Sequence, residues 1–337
     1  MREAFKLSAT ILNIEGLKTH FFTEAGVVQA VDGISFNLKR GESLGLVGES
    51  GSGKTVTALS VLRIVPRPGR IVDGKIQFNG EDLLKKKEDE MRKLRGGDIA
   101  IIFQDPSSSL NPVYTVETQL SDVIRAHQDL AQDEIREKAV ELLQLVGLPA
   151  PETRMQEYPH QFSGGMKQRV AIARALACEP KLLFADEPTT NLDVTIQAQV
   201  LRLLNELKGK LGMSLVMITH DMGIIAELTA RTVVLYAGRV CEIARTPDLF
   251  VQPRHPYTAA LLAAVPRLDM RKTLRVIPGN IPNLIEPPTG CRFHPRCDYA
   301  VETCKEETPV LEQIGPEHFV ACHRWPDIKL KGERVSE

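Results

Sequence analysis

Short apolar runs, each closed by glycine, proline or charge, recur along the chain. Leu44-Gly45-Leu46-Val47, Ile99-Ala100-Ile101-Ile102-Phe103, Leu182-Leu183-Phe184-Ala185 and Leu215-Val216-Met217-Ile218 predict short buried strands. Helical spacing shows elsewhere. Ala139, Leu142, Leu143 and Val146 give a helical pattern to the stretch from about Val113 to Gly147, and Met166, Val170, Ala173 and Ala177 line one face of a second helix. Val56 to Val65 is apolar and helix-compatible. Thr232 to Tyr236 and Val240 to Ile243 flank Ala237-Gly238, which predicts a hairpin. Leu38 to Glu42 reads as a turn between an N-terminal β region and the strand at Leu44. From about Ile11 to Ile243 strand-like and helix-like segments alternate, the pattern of an α/β domain.

The texture changes after about Arg245. Pro247, Pro253, Pro256, Pro266, Pro278, Pro282, Pro287 and Pro288 crowd the remainder, so regular structure there is expected to be short and broken. A domain boundary is therefore expected near that point, with residues 1–245 on one side and 246–337 on the other. The length of 337 residues is compatible with two domains, or with one large domain and an appendage. Lys85-Lys86-Lys87-Glu88-Asp89-Glu90 mixes both signs and predicts a solvated helix face.

Bulk chemistry narrows the function classes. A content of 43% hydrophobic and 25% charged residues is ordinary for a globular protein, and a net charge of −1 disfavours a general nucleic-acid binder. The N-terminus has no basic segment followed by an apolar run, so no secretory signal is expected. No apolar run approaches the ~18 residues of a spanning helix, so a membrane role is expected to come through a partner.

The strand at Leu44 leads into Gly48-Glu49-Ser50-Gly51-Ser52-Gly53-Lys54-Thr55, and a helical run follows. Strand, glycine-rich turn and helix form the context of a phosphate loop. Backbone N–H groups of Gly48, Ser50, Gly51, Ser52 and Gly53 would wrap phosphate oxygens, aided by the positive end of the helix. Lys54 would reach the β- and γ-phosphates, and the Thr55 hydroxyl would ligate Mg²⁺. Asp186 and Glu187 close the apolar strand at Leu182; a carboxylate there can hold Mg²⁺, and its neighbour can polarise a water. Acids commonly follow strands, so this pair gains weight only from its company. Ser163-Gly164-Gly165-Met166 opens a helix, where Ser163 can serve as a simple cap or the two glycines can admit a phosphate.

Gly48 to Thr55, Gln104, Ser163 to Met166, Asp186-Glu187, Asn191-Leu192-Asp193 and His220 occur in an order that resembles ABC-transporter ATP-binding subunits. Phe103-Gln104-Asp105-Pro106, Ser109-Leu110-Asn111-Pro112 and the cysteine-rich tail are similar, more narrowly, to the D-type ATPases of dipeptide/oligopeptide (nickel) importers. The resemblance covers nearly the whole chain. It implies a P-loop (RecA-like) ABC ATPase core, an antiparallel β subdomain, a helical subdomain at about 106–165, and a small irregular cysteine-rich C-terminal domain. It implies roles as well. Glu187 would be the general base, Gln104 a γ-phosphate sensor and Mg²⁺ ligand, and His220 a γ-phosphate contact. Asp186 would support Mg²⁺, Asp193 would lie at a dimer interface, and Ser163, Gly164 and Gly165 would touch the ATP of a partner subunit. Phe21, or else Phe22, would stack on adenine. Asn191 stands where relatives more often carry alanine.

The implied protein is a Mg-dependent ATPase at the cytoplasmic face of the membrane. It would work with a second, related or identical ATPase subunit, two integral-membrane permeases and, indirectly, an extracytoplasmic peptide-binding protein. The alternative is a soluble ABC ATPase acting on nucleic acid or ribosomes.

The tail reads Cys291-x5-Cys297-x6-Cys304-x17-Cys322. Four thiolates suit tetrahedral Zn²⁺ or an iron–sulfur cluster. The resemblance implies a [4Fe–4S] cluster, with Zn²⁺ as second choice and free structural thiols third. His255-Pro256-Tyr257-Thr258 reads as a helix start, with Pro256 in the first turn.

Overall fold

The computed structural model describes residues 10–265, 277–330 and 332. The chain divides into two units, Met1–Lys85 with Met217–Glu337, and Lys86–Val216.

The first unit opens with a long hairpin, β1 (Thr10–Thr23) and β2 (Gly26–Lys39), followed by β3 (Ser43–Val47), the helix α1 (Lys54–Val61), β4 (Gly69–Phe78) and β5 (Glu81–Asp82). An antiparallel sheet runs β2-β1-β4-β5, with Leu12 opposite Phe78 and Ile14 opposite Ile76. Alternation along β1 puts Leu12, Ile14 and Leu17 inside. By contrast β3 is buried at every position, the burial pattern of a strand covered on both faces. Leu44, Leu46 and Val47 are wholly inaccessible, and each contributes roughly 1.5–3 kcal/mol by leaving water.

The second unit carries α2 (Glu88–Leu94), β6 (Ile99–Ile102), α3 (Val116–His127), α4 (Gln132–Leu145), α5 (Gly164–Leu176), β7 (Leu182–Asp186), α6 (Val194–Leu211) and the start of β8 (Ser214–Thr219). β6 and β7 pair in parallel from Ile99↔Leu182 to Ile102↔Ala185. Beside them Ser214 N donates to Lys181 O at 2.9 Å. The helical stretch expected from Val113 to Gly147 is two helices. Gln128 turns extended (φ −133°, ψ 136°), and α4 restarts where Ala131 N donates to the Glu134 carboxylate at 2.7 Å. The apolar face predicted for its second half holds: Ala139, Leu142, Leu143 and Val146 are all buried.

Back in the first unit come α7 (Met222–Leu228), β9 (Arg231–Tyr236), β10 (Arg239–Arg245), α8 (Thr246–Val251), α9 (Pro256–Ala263), β11 (Glu312–Gly315) and β12 (His318–Val320). Here the strand order is β11-β12-β10-β9-β3-β8. β9 runs parallel to β3, and the Ala237-Gly238 turn folds β10 antiparallel to β9 as the sequence predicts. A separate cysteine-rich C-terminal domain is not supported. β12 pairs with β10 through Glu242↔Val320 and Ile243↔Phe319, so residues after Arg245 complete the sheet that carries β3.

The β12 segment is tied down from inside. Glu242 is 0% exposed, and its carboxyl oxygens accept N–H bonds from Arg254 (2.8 Å) and His255 (2.9 Å) while Oε1 also meets His318 Nε2 at 2.8 Å. One buried side chain thus links β10, the start of α9 and β12. A second knot forms around Asp32. Desolvation would raise its pKa, but the guanidiniums of Arg239 (2.8 Å) and Arg292 (2.7 Å) hold it below the usual carboxylate range.

Candidate functional site

In the first unit β3 delivers Gly48 to a crowded turn. Gly48 has φ +152°, and a Cβ there would lie 2.1 Å from Leu235 O and 2.7 Å from Ser52 Oγ, so only glycine fits. The loop closes with Ser52 N donating to Glu49 O at 3.2 Å, and Gly238 N donates to Ser52 O at 3.0 Å from the β9–β10 turn. Gly53 precedes α1 with φ +99°, and the first turn of α1 has no acidic residue. The positive end of α1 is thereby left to an external anion. Lys54 is buried, and its Nζ donates to Gly48 O (2.8 Å) and Glu49 O (3.0 Å), spanning the loop. Ser52 Oγ is buried without a hydrogen-bond partner among the described residues. Ser50, Gly51 and Thr55 are exposed.

Phe21 is half-buried in β1, opposite Val28 and Gly69. Phe22 is exposed, with the Arg70 guanidinium 5.5 Å over its ring. His220 is exposed just after β8, beside Asp221, whose Oδ1 caps α7 by accepting from Gly223 N at 2.7 Å.

In the second unit β7 ends on Asp186, which is 3% exposed, and Glu187 follows in the left-handed region at φ +43°. A non-glycine residue held there costs of order 1–3 kcal/mol, and such strain concentrates at functional positions. Gln104 Nε2 donates to Glu187 Oε2 at 2.9 Å, and Thr190 Oγ1 donates to the same oxygen at 3.1 Å. The structure therefore brings Gln104 and Glu187 together and adds Thr190, which the sequence reading passed over. Its only signal was a hydroxyl three residues beyond an acid. Asn191 takes φ +64°, where its short polar side chain is favoured over alanine. Ser163 Oγ caps α5 by accepting from Met166 N at 3.4 Å, with Gly164 exposed and Gly165 half-buried. Asp193 caps α6 through Ile196 N at 3.0 Å and is exposed.

The expected iron–sulfur or zinc site is overturned. Among the described residues no three His, Cys, Asp or Glu side chains are grouped as metal ligands. Cys291, Cys297, Cys304 and Cys322 are all free cysteines. Burial opposes the thiolate form that such a centre needs. It pushes the Cys291 thiol up, Cys297 to about 11 and Cys322 to about 12. The described residues therefore do not support a cluster or a zinc site.

Two families match the sequence: ABC transporter over residues 31–190, and the oligopeptide/dipeptide transporter C-terminal region over residues 241–304. The dipeptide transport ATP-binding protein DppD of Escherichia coli is 48% identical, with 93% of this chain and 96% of that protein covered. The oligopeptide transport ATP-binding protein OppD of Escherichia coli is also 48% identical, with 93% of each covered. Among solved structures, a dimeric ATP-binding cassette, MJ0796, bound to ADP and Pi after hydrolysis, aligns with a TM-score of 0.63 at 27% identity. That alignment covers 70% of this chain and 99% of that one.

Proposed function

The chain belongs to the ATP-binding proteins of ABC peptide transporters, and from that premise we propose how its residues drive import. It is the ATP-hydrolysing subunit of a peptide or dipeptide importer. Matches along almost the whole chain to peptide-transport proteins favour this reading over action on nucleic acid or ribosomes.

The reading of the chemistry rests on one observation: Gln104 and Thr190 converge on a single oxygen of Glu187, at the end of the strand that presents Asp186. A carboxylate fixed in this way is suited to accept a proton from a water attacking the γ-phosphorus. The bond from Gln104 would couple this carboxylate to occupancy of the γ-phosphate position. As the water oxygen bonds to phosphorus, the bridging bond to ADP breaks and Glu187 carries the proton away. Lys54 would trade its carbonyl partners, Gly48 and Glu49, for phosphate oxygens, a stronger charge-assisted pairing. His220 would donate to the γ-phosphate, and Phe21 would stack on adenine.

Thr55, Gln104 and Asp186 each carry an oxygen donor of the kind a hard cation takes, and they would hold Mg²⁺. When bound, it neutralises charge on the β- and γ-phosphate oxygens. Ser163, Gly164 and Gly165 would complete the ATP site of a second ATPase subunit, with Asp193 at the shared interface. The capped, exposed start of α5 supports this role. No helix among the described residues is long and apolar enough to cross a membrane. Likeness to peptide-transport ATP-binding proteins supports a peripheral place at the cytoplasmic face, held by two permease subunits, with an extracytoplasmic peptide-binding protein acting through them. The domain reading follows the same roles: residues 1–245 as the ATPase domain, with a helical subdomain at about 106–165, and 246–337 as an importer-type extension.

Glu187→Gln tests the assignment. The variant should bind ATP within about twofold of the parent and lose at least ~100-fold in turnover, the range for removal of a general base. Near-parent turnover would remove Glu187 from the role.

A further inference from the structure

The C-terminal extension reaches the phosphate loop at one residue, by two routes. The Tyr257 hydroxyl accepts the backbone N–H of Glu49 at 2.8 Å. The Arg296 guanidinium forks onto the Glu49 carboxylate, at 2.7 Å from Nη1 and 3.1 Å from Nη2. Glu49 is the second residue of the loop, and its carbonyl, like that of Gly48, also takes Lys54 Nζ.

Both grips are themselves rigid. Tyr257 is wholly buried near the start of α9, where His255 Nδ1 accepts Tyr257 N at 3.0 Å and Pro256 presets the first turn. Burial lowers the His255 pKa to about 4, which keeps its ring neutral and Nδ1 available as an acceptor. This gives the His255-Pro256-Tyr257 sequence a mechanical meaning: it caps and aims Tyr257. The Tyr257 ring lies 4.6 Å from Tyr236 and 5.3 Å from Phe293, and Tyr236 meets Phe293 at 5.1 Å. Arg296, its side chain 5% exposed, also donates to Tyr236 Oη (3.2 Å) and from Nε to Pro278 O (2.7 Å). Desolvation works against its charge, but the bonds to Glu49 and Tyr236 outweigh it.

From this geometry we propose that Tyr257 and Arg296 are positioning residues for the nucleotide, holding Glu49 so that the phosphate loop is ordered before ATP arrives. The C-terminal extension then sets nucleotide affinity without touching the nucleotide. A loop released from these anchors has to be ordered by its ligand, and that cost appears as weaker binding. The inference rests on the reading of Gly48–Thr55 as the ATP cradle.

The test is binding of a fluorescent ATP analogue to the purified full-length chain, with melting midpoints measured in parallel. Tyr257→Phe deletes one oxygen and keeps the ring packing. Arg296→Gln removes the fork, and Arg296→Lys keeps the charge alone. Loss of one buried hydrogen bond, or of one charge-assisted pair, corresponds to about five- to tenfold weaker binding. Tyr257→Phe and Arg296→Gln should each show it, Arg296→Lys should recover part, and Glu49→Gln with Arg296→Gln should be no weaker than the worse single variant. In steady-state assays the ATP KM should rise by the same factor, with kcat changed less than twofold. Parent-level affinity in Tyr257→Phe and Arg296→Gln, even with lowered melting midpoints, would overturn the proposal, as would fully additive losses in the double variant. Lys54→Ala separates the two levels. If it binds the analogue as the parent does, the cradle reading itself fails; if it loses binding while the anchor variants keep it, only the positioning role fails.

Discussion

Replacing Gly48 with alanine tests whether the phosphate loop is shaped by sterics or by its ligand. The new Cβ would stand 2.1 Å from Leu235 O, whereas carbon–oxygen contacts normally open at about 3.3 Å. More than an ångström must be found. Leu235 cannot supply it cheaply, because β9 is paired with β3 up to Val47↔Val234. Overpacking of this kind costs about 1–3 kcal/mol, and a φ near +152° adds about 1–3 kcal/mol for a residue with a side chain. The expected loss for Gly48→Ala is therefore about 4 kcal/mol in the first unit. Gly51→Ala is the control, since its φ is +78° but a Cβ there meets nothing within 4 Å. Strain alone predicts about 1–2 kcal/mol. Urea unfolding without nucleotide separates the two, read by the single tryptophan, Trp325, which lies in the same unit. If Gly48→Ala unfolds at the same urea concentration as Gly51→Ala or higher, the close approach to Leu235 does not govern the loop.

Acid should weaken the chain through His255. Its folded pKa of about 4 lies below the unfolded value of 6.5, so the unfolded state takes up the proton first. Stability should be unaffected above pH 6.5 and fall by about 3 kcal/mol between pH 6.5 and 4. His255→Asn keeps an acceptor for Tyr257 N and should flatten that limb in unfolding curves measured across pH; an unchanged limb would show that other groups dominate. Ser163→Ala should leave ATP binding by the isolated chain within about twofold, yet cut turnover at least ~10-fold, because the loss falls on the partner's ATP. Equal effects on binding and turnover would place Ser163 in its own subunit's site.

Local chemistry was legible in the sequence, and distant chemistry was not. The glycine-rich turn from Gly48 to Gly53 could be read because it depends on neighbours a few positions apart, and the structure sets it between a strand and a helix as expected. The capping role read for Ser163 is local in the same sense. The break at Gln128–Ala131 was hidden because neither glycine nor proline marks it; the Ala131 N–H donating to the Glu134 side-chain carboxylate restarts the helix instead. The grips on Glu49 join residues 208 and 247 positions apart, and no spacing rule reaches that far. The tail cysteines misled for a related reason. Their intervals suggested ligands, but intervals say nothing about how deeply the fold buries each thiol, and burial pushes Cys291, Cys297 and Cys322 up.

Glu242 has a consequence for anyone who trims this chain. A version ending before Glu312 would lack β12, depriving the buried carboxyl of His318 and baring the outer edge of β10. An unpaired edge is a template for strand addition by another molecule, so such a version would be expected to gather into aggregates rather than yield a tidier ATPase. The last segment is thus a hem on the catalytic sheet, and cutting it lets the fabric fray.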